Sequence, residues 1–114
     1  MEVNWIDNIS AIRGVKSAIL VDFDGIVVAE AGEMSDWIPP LSALMVKKLI
    51  DQVGTDTFGE WLWTQCDTEN VIISLVNVGI GILIIFMETD ANIGLVQIEA
   101  RNVKQAIKET FSFK

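Results

Sequence analysis

The seventeen residues from Val71 to Met87 carry no charge and are almost wholly apolar. A stretch of this length lies at the lower limit for a helix that crosses a bilayer. Two polar residues and two glycines interrupt it: Ser74, Asn77, Gly79 and Gly81. The stretch is also rich in valine and isoleucine, which favours two buried strands joined by a tight turn. We therefore expect these strands to be covered on both faces of a sheet, without direct insertion into a membrane.

Helical periodicity and end signals appear in three other segments. Their predicted spans are 5–12 with a stop at Gly14, a helix capped by Ser35 or Asp36 that runs to Val53, and a helix capped by Asp90 or Asn92 that runs to Phe111. Pro39 and Pro40 suit the first turn of the second helix, where a backbone donor is not needed. The apolar stripe of this second helix is wider than one buried face requires.

The segments between these helices predict five strands: 15–21, 26–29, 58–66, 70–77 and 80–87. Asp24-Gly25 separates the first two, and its glycine supplies the positive φ of a hairpin turn. The order is helix, two strands, helix, three strands, helix. This order predicts one α/β domain over residues 1–114, a three-layer sandwich in which a five-stranded antiparallel sheet has helices on both faces.

Composition narrows the function classes. Eight basic residues against sixteen acidic ones give a formal net charge of −8, which disfavours nucleic acid and anionic membrane surfaces as partners. Cys66 is the single cysteine, so no intrachain disulfide forms, and we expect a reducing, cytoplasmic environment. Histidine is absent, which removes the usual general base and the commonest metal ligand. We expect no cofactor, no metal site and no catalytic residue.

The stretch around Asp22 offers one alternative from the enzyme class. The segment Ile19-Leu20-Val21-Asp22-Phe23-Asp24-Gly25 resembles the first motif of the haloacid dehalogenase phosphatases. That resemblance implies a nucleophilic Asp22 and an acid/base Asp24 beside a magnesium ion. The basic and acidic partners that the family places further along the chain have no clear counterparts here, and the parallel Rossmann-like core of that family needs a longer chain. The simpler interpretation is a hairpin turn, in which Asp24-Gly25 supplies the turn chemistry and Asp22 is a solvated strand end.

A second resemblance covers nearly all of residues 5–111. Gly14-Val15, the following strand, the Asp22-Phe23-Asp24-Gly25 turn and the next strand resemble the Roadblock family, the dynein light chain and MglB type of domain. The stretch Ala91-Asn92-Ile93-Gly94-Leu95 resembles that family's entry into its last helix. The predicted order of elements is also the order found in the family.

This resemblance implies a dimer. In such domains the third strands of two subunits pair edge to edge, and the second helices lie side by side. The implied dimer-interface residues are Phe58, Trp61, Trp63 and Cys66, with the two tryptophans expected on one face. The alternative is that these tryptophans pack beneath the second helix. The high apolar content, 51% in 114 residues, also indicates more apolar surface than one subunit covers.

Members of the family commonly bind Ras-like small GTPases through the paired second helices. The candidate partner-binding residues carried over are Trp37, Leu41, Leu44, Met45, Lys48 and Asp51. The alternative is that the apolar ones are ordinary core residues. The resemblance implies a non-catalytic regulatory or scaffold module for a GTPase of the MglA or Rag type. An adaptor subunit of a motor or sensory complex, without a GTPase, is the second hypothesis.

Overall fold

The structure, a computed structural model, describes residues 4–53 and 60–110 of the chain. Its elements are α1 (Asn4–Ser10), β1 (Val15–Asp22), β2 (Val27–Gly32), α2 (Ile38–Val53), β3 (Trp63–Asp67), β4 (Ile72–Asn77), β5 (Gly81–Met87) and α3 (Ile93–Thr110). The order matches the predicted one. The apolar stretch from Val71 to Met87 forms two strands, and no helix within the described ranges is both long and apolar enough to cross a bilayer.

All neighbouring strands of the sheet run antiparallel, in the order β2-β1-β5-β4-β3. The central strand β5 is buried along its whole length, and β4 is buried at all but one position. Strands β2 and β3 form the two edges. The predicted five-stranded antiparallel sheet is therefore confirmed.

Each face of the sheet carries its own apolar cluster, because the side chains of a strand alternate between the faces. On one face, α1 and α3 contribute Ile6, Ile9, Val96, Ala100, Val103 and Ile107. On the other, α2 contributes Ile38 and Val46, which pack on strand residues that include Ile19, Ile84 and Phe86. Among the described residues, two helices thus cover one face and one helix covers the other, which confirms the three-layer sandwich.

Local signals in the sequence explain how the elements begin and turn. The β1–β2 turn has Gly25 at a φ of 89°, the left-handed conformation for which glycine is suited. Of the two predicted caps for α3, Asn92 performs the role, since its Oδ1 accepts a hydrogen bond of 3.0 Å from the Leu95 N–H. Pro39 and Pro40 lie in the first turn of α2, as predicted.

The predicted span of β3 was wrong at both ends. Pairing with β4 covers Trp63–Asp67, whereas the prediction covered 58–66. Glu60, Trp61 and Leu62 are described but are not strand, and 54–59 lies outside the described residues. The predicted strand began too early because it followed the run of aromatic residues. A sequence pattern does not reveal the contacts of the Asn77 side chain with Glu60 and Trp61, which hold this segment outside the strand. Strand β2 is also longer than predicted and reaches Gly32.

The buried and exposed faces of α3 can be tested by comparing the same substitution at one position on each face. Ile107 is 2% exposed within the α1/α3 cluster, whereas Ile98 is 54% exposed. We expect Ile107→Ala to lower the free energy of unfolding by about 2–5 kcal/mol, because it leaves a cavity. The same change at Ile98 should stay within about 0.5 kcal/mol. Urea unfolding followed by circular dichroism measures both, and equal losses would contradict the assignment of the buried face.

Candidate interaction surface

The outer face of α2 carries a stripe of exposed residues. Trp37 precedes the helix and its carbonyl accepts the 3.1 Å hydrogen bond from the Leu41 N–H, so the helical register begins there. Spacings of four and three residues then place five side chains on one line. They are Trp37 (57% exposed), Leu41 (36%), Leu44 (52%), Lys48 and Asp51, all exposed. Five of the six candidate partner-binding residues therefore lie on a single open surface, here called the α2 stripe.

The sixth candidate, Met45, lies at the flank of the helix. It is partly buried and packs against the cluster beneath α2. Opposite the stripe, Ser42 and Val46 are fully buried. The ordinary-core interpretation therefore fits Met45 better than it fits Leu41 or Leu44. A wide apolar stripe in the sequence arises here because the helix has one buried face and one exposed apolar face.

A cleft of about 400 Å³ opens beside the N-terminal half of α2. Its walls include Trp37, Leu41 and the strand residues Ile73 and Phe86. The Trp37 ring stands edge-on to the Phe86 ring, with 6.4 Å between their centroids and 89° between their planes. The Ser17 hydroxyl lines the same cleft and is buried without a hydrogen-bond partner. The cleft continues the apolar surface of the α2 stripe onto the sheet.

Strand β3 supplies the second feature of the surface. It pairs with β4 on one side, and within residues 4–53 and 60–110 no strand lies on its other side. Gln65, Cys66 and Asp67 are exposed, and the Cys66 thiol is free. An edge strand of this kind presents unpaired backbone donors and acceptors to a partner.

The two tryptophans near β3 lie on opposite faces, which corrects the expectation that they share one. Trp63 packs with the α1/α3 cluster, whereas Trp61 packs with the cluster beneath α2. Trp61 precedes the strand, so strand alternation does not apply to it, and its indole N–H donates to the Thr64 Oγ1 at 2.6 Å. Packing beneath the second helix, the alternative interpretation, thus describes Trp61. Phe58 lies outside the described residues.

Asn77 is a residue that the sequence interpretation missed as a positioning group. Its side chain is 8% exposed, and its Nδ2 donates to the Trp61 carbonyl at 2.9 Å and to the Glu60 Oε2 at 3.2 Å. Its Oδ1 accepts from the Gly79 N–H at 2.9 Å. One side chain thereby fixes the entry to β3 and the β4–β5 turn. The sequence held one sign of this role: Asn77 is a lone amide at the end of an apolar strand. A buried amide needs hydrogen-bond partners, so it indicates a contact with another segment.

The Asp22 carboxylate closes a turn. Its Oδ1 accepts hydrogen bonds from the backbone N–H groups of Asp24 at 2.9 Å and Ile26 at 3.0 Å. Within the described part of the chain, no group of three acidic or cysteine side chains is arranged to hold a metal ion. The sheet is antiparallel, whereas the phosphatase resemblance implies a parallel core. The geometry is that of the hairpin interpretation, with one correction: Asp22 takes part in the turn through its carboxylate and is not merely a solvated strand end.

Comparison with known proteins identifies the fold. No protein-family model matches the sequence, and the curated proteins contain no match either. Among solved structures, a Roadblock/LC7 domain from Streptomyces avermitilis is similar with a TM-score of 0.79 at 14% identity, covering 99% of this chain and 100% of that one. MglB of Myxococcus xanthus is similar with a TM-score of 0.79 at 17% identity, covering 95% of this chain and 92% of that one. The gliding protein MglB from Thermus thermophilus is similar with a TM-score of 0.73 at 16% identity, covering 94% of this chain and 85% of that one.

The chain therefore has the fold of the Roadblock/LC7 domains. This likeness extends over nearly the whole chain and confirms, at the level of the fold, the resemblance that the motifs around Asp22 and Asn92 indicated.

The turn at Asp22 generates a prediction that separates its two interpretations. Asp22→Ala should lower the free energy of unfolding by about 1 kcal/mol, because two backbone donors lose their acceptor. Asp22→Asn keeps an oxygen at that position and should recover most of the loss. Thermal unfolding measures both variants, with and without millimolar magnesium. A magnesium-dependent rise in the melting temperature that disappears in Asp22→Asn would instead support a metal site.

Proposed function

We propose that this chain is a non-catalytic regulatory or scaffold module that forms a dimer and binds a Ras-like small GTPase, of the MglA or Rag type, through the α2 stripe. In this role it modulates the activity or the location of the GTPase in the cytoplasm. The proposal combines the Roadblock/LC7 fold with the open surface of α2 and the family resemblance of the sequence.

The observation that carries the proposal is the exposure of the α2 stripe. Trp37, Leu41 and Leu44 are large apolar side chains that retain 36–57% of their surface to solvent on one helical face. Contiguous exposed apolar surface next to a cleft is typical of a site that binds another protein. Lys48 and Asp51 continue the stripe with charges of opposite sign, which suits the polar rim of such an interface.

Dimer formation is supported by the open edge of β3. Edge-to-edge pairing would extend the sheet through two subunits and bring the two α2 helices to the same side. Two copies of the α2 stripe would then form one composite platform. A GTPase bound there would contact both subunits, so its binding would depend on the dimer.

A non-catalytic role fits the positions of the arginines. GTPase activation in trans commonly uses an inserted arginine. The chain has only Arg13 and Arg101. Arg101 lies on α3 and Arg13 follows α1, and both helices pack on the face of the sheet opposite the α2 stripe. Any effect on hydrolysis would therefore arise from repositioning groups of the GTPase itself.

The second candidate is an adaptor that joins a motor or sensory complex and binds no GTPase. The same apolar stripe favours it, because an apolar helix face does not by itself specify the class of partner. The nucleotide state of the partner separates the two: a regulator of a GTPase distinguishes its GTP and GDP forms, whereas an adaptor does not.

The proposed site is tested by two substitutions of equal chemistry. Leu44→Asp places a charge in the α2 stripe, and Ile98→Asp places one at an equally exposed position of α3 on the other face of the sheet. Candidate small GTPases encoded beside this chain are loaded with GDP or a non-hydrolysable GTP analogue and titrated by calorimetry. Leu44→Asp should weaken binding by at least about tenfold, because an apolar contact is lost and a carboxylate is buried. Ile98→Asp should leave the affinity unchanged.

Circular dichroism and light scattering confirm that each variant remains folded and show its oligomeric state. Equal binding to both nucleotide forms would favour the adaptor. A wild-type chain that remains monomeric at tens of micromolar would contradict the proposed dimer.

A further inference from the structure

The outward-facing backbone groups of β3 can be assigned from its contacts with β4. The Asn77 N–H donates to the Leu62 carbonyl at 3.0 Å, and the Thr68 N–H donates to the Val71 carbonyl at 2.9 Å. Hydrogen-bonded pairs alternate along an antiparallel ladder. The even-numbered residues from 62 to 68 therefore bond to β4. The backbone groups that point to the open edge belong to Trp63, Gln65 and Asp67.

A two-fold axis relating two β3 strands can pass through one of three central residues. An axis at Gln65 pairs Trp63 with the partner's Asp67 and Gln65 with itself, so all three outward-facing residues of each strand are used. Each such pair forms two hydrogen bonds, which gives about six across the seam. An axis at Thr64 or at Cys66 pairs only two of the three outward-facing residues of each strand and gives about four hydrogen bonds. Backbone pairing alone therefore favours Gln65.

Charge favours the same register. Beside Trp63, on the α1/α3 face, a groove of about 270 Å³ is lined by Gln97, Ala100, Arg101 and Lys104. The other end of β3 is acidic: Asp67 is exposed and accepts a 2.8 Å hydrogen bond from the Gln65 side chain. Trp63 and Asp67 are four residues apart on a strand and share a face, as their pairing with Val76 and Ile72 of the α1/α3 cluster shows.

Because directly opposite residues of two paired strands point to the same face, the Gln65 axis brings each acidic end beside the partner's basic groove, twice per dimer. We propose that the groove formed by Trp63, Arg101 and Lys104 is the seat for Asp67 of a second copy of this chain, and that it fixes the dimer seam at Gln65. This inference rests on the dimer of the proposed function and adds its register and its ion pairs. In an acidic protein of net charge −8, such local complementarity opposes the general repulsion between copies.

The register is tested by single-cysteine variants, each of which reports one axis. Native Cys66 reports an axis at 66, Thr64→Cys with Cys66→Ser reports 64, and Gln65→Cys with Cys66→Ser reports 65. Residues on the axis lie about 4.5–5.5 Å apart at Cα, within disulfide range. Oxidation with copper phenanthroline followed by non-reducing electrophoresis should cross-link the Gln65→Cys variant in high yield. The other two proteins should remain largely uncross-linked.

These outcomes separate this inference from the function on which it depends. A dimer in solution that cross-links through position 64 or 66, or through none of the three, overturns the proposed seam and leaves dimerisation intact. A protein that is monomeric by light scattering removes the dimer and the seam together.

Charge reversal tests the seat itself. Asp67→Lys should raise the dimer Kd by roughly tenfold, because it places a lysine beside the partner's Arg101 and Lys104. Lys104→Glu should have a similar effect. Combined in one chain, the two changes set the introduced lysine against the introduced glutamate while Arg101 stays in place, so they should recover part of the loss and the two effects on the Kd should not multiply. Glu30→Lys, on the opposite edge strand, makes the same charge change as Asp67→Lys away from the seam and should leave the Kd near that of the wild type.

Analytical ultracentrifugation measures the four variants. Single reversals without effect, or a double variant in which the two losses add, would overturn the seat.

Discussion

The structure depends on covering two strands that are apolar on both faces. Strand β5 is buried along its whole length and β4 nearly so, and both lie inside the sheet. Such strands cannot face water on either side, so the chain must place helices above and below them. The hairpin of β1 and β2, the edge strand β3 and the three helices are arranged around the β4–β5 pair.

The two faces are not covered equally, and the proposed function arises from that difference. Within the part of the chain that the structure describes, two helices, α1 and α3, pack on one face, whereas one helix, α2, packs on the other. One helix is about 10 Å wide, and strands lie about 4.8 Å apart, so a single helix cannot shield five strands. The cleft beside Trp37 opens next to α2, with the partly buried Ile73 and the buried Phe86 in its wall.

The sequence was informative where local chemistry decides the structure and less so where distant contacts do. The element order, the Gly25 turn and the Asn92 cap depend on neighbouring residues and were predicted. The start of β3 and the separation of Trp61 from Trp63 depend on Asn77, which lies more than ten residues further along the chain. The family resemblance supplied six candidates on and beside α2; five of them lie in the exposed α2 stripe, whereas Met45 is partly buried by its contacts with the sheet.

An open edge strand must pair with one partner and avoid pairing with others. The residues of β3 show how one strand can meet both requirements. Exposed edge strands invite indiscriminate pairing, and charged side chains reduce it. Here Asp67 and the groove of Arg101 and Lys104 mark opposite ends of the same edge. A parallel or shifted strand would place like charges together or leave backbone groups unpaired, whereas a two-fold antiparallel copy opposes unlike charges at both ends. The polar character of this edge is therefore compatible with self-recognition, because the register centred on Gln65 satisfies charge and backbone together, whereas the neighbouring registers form fewer hydrogen bonds.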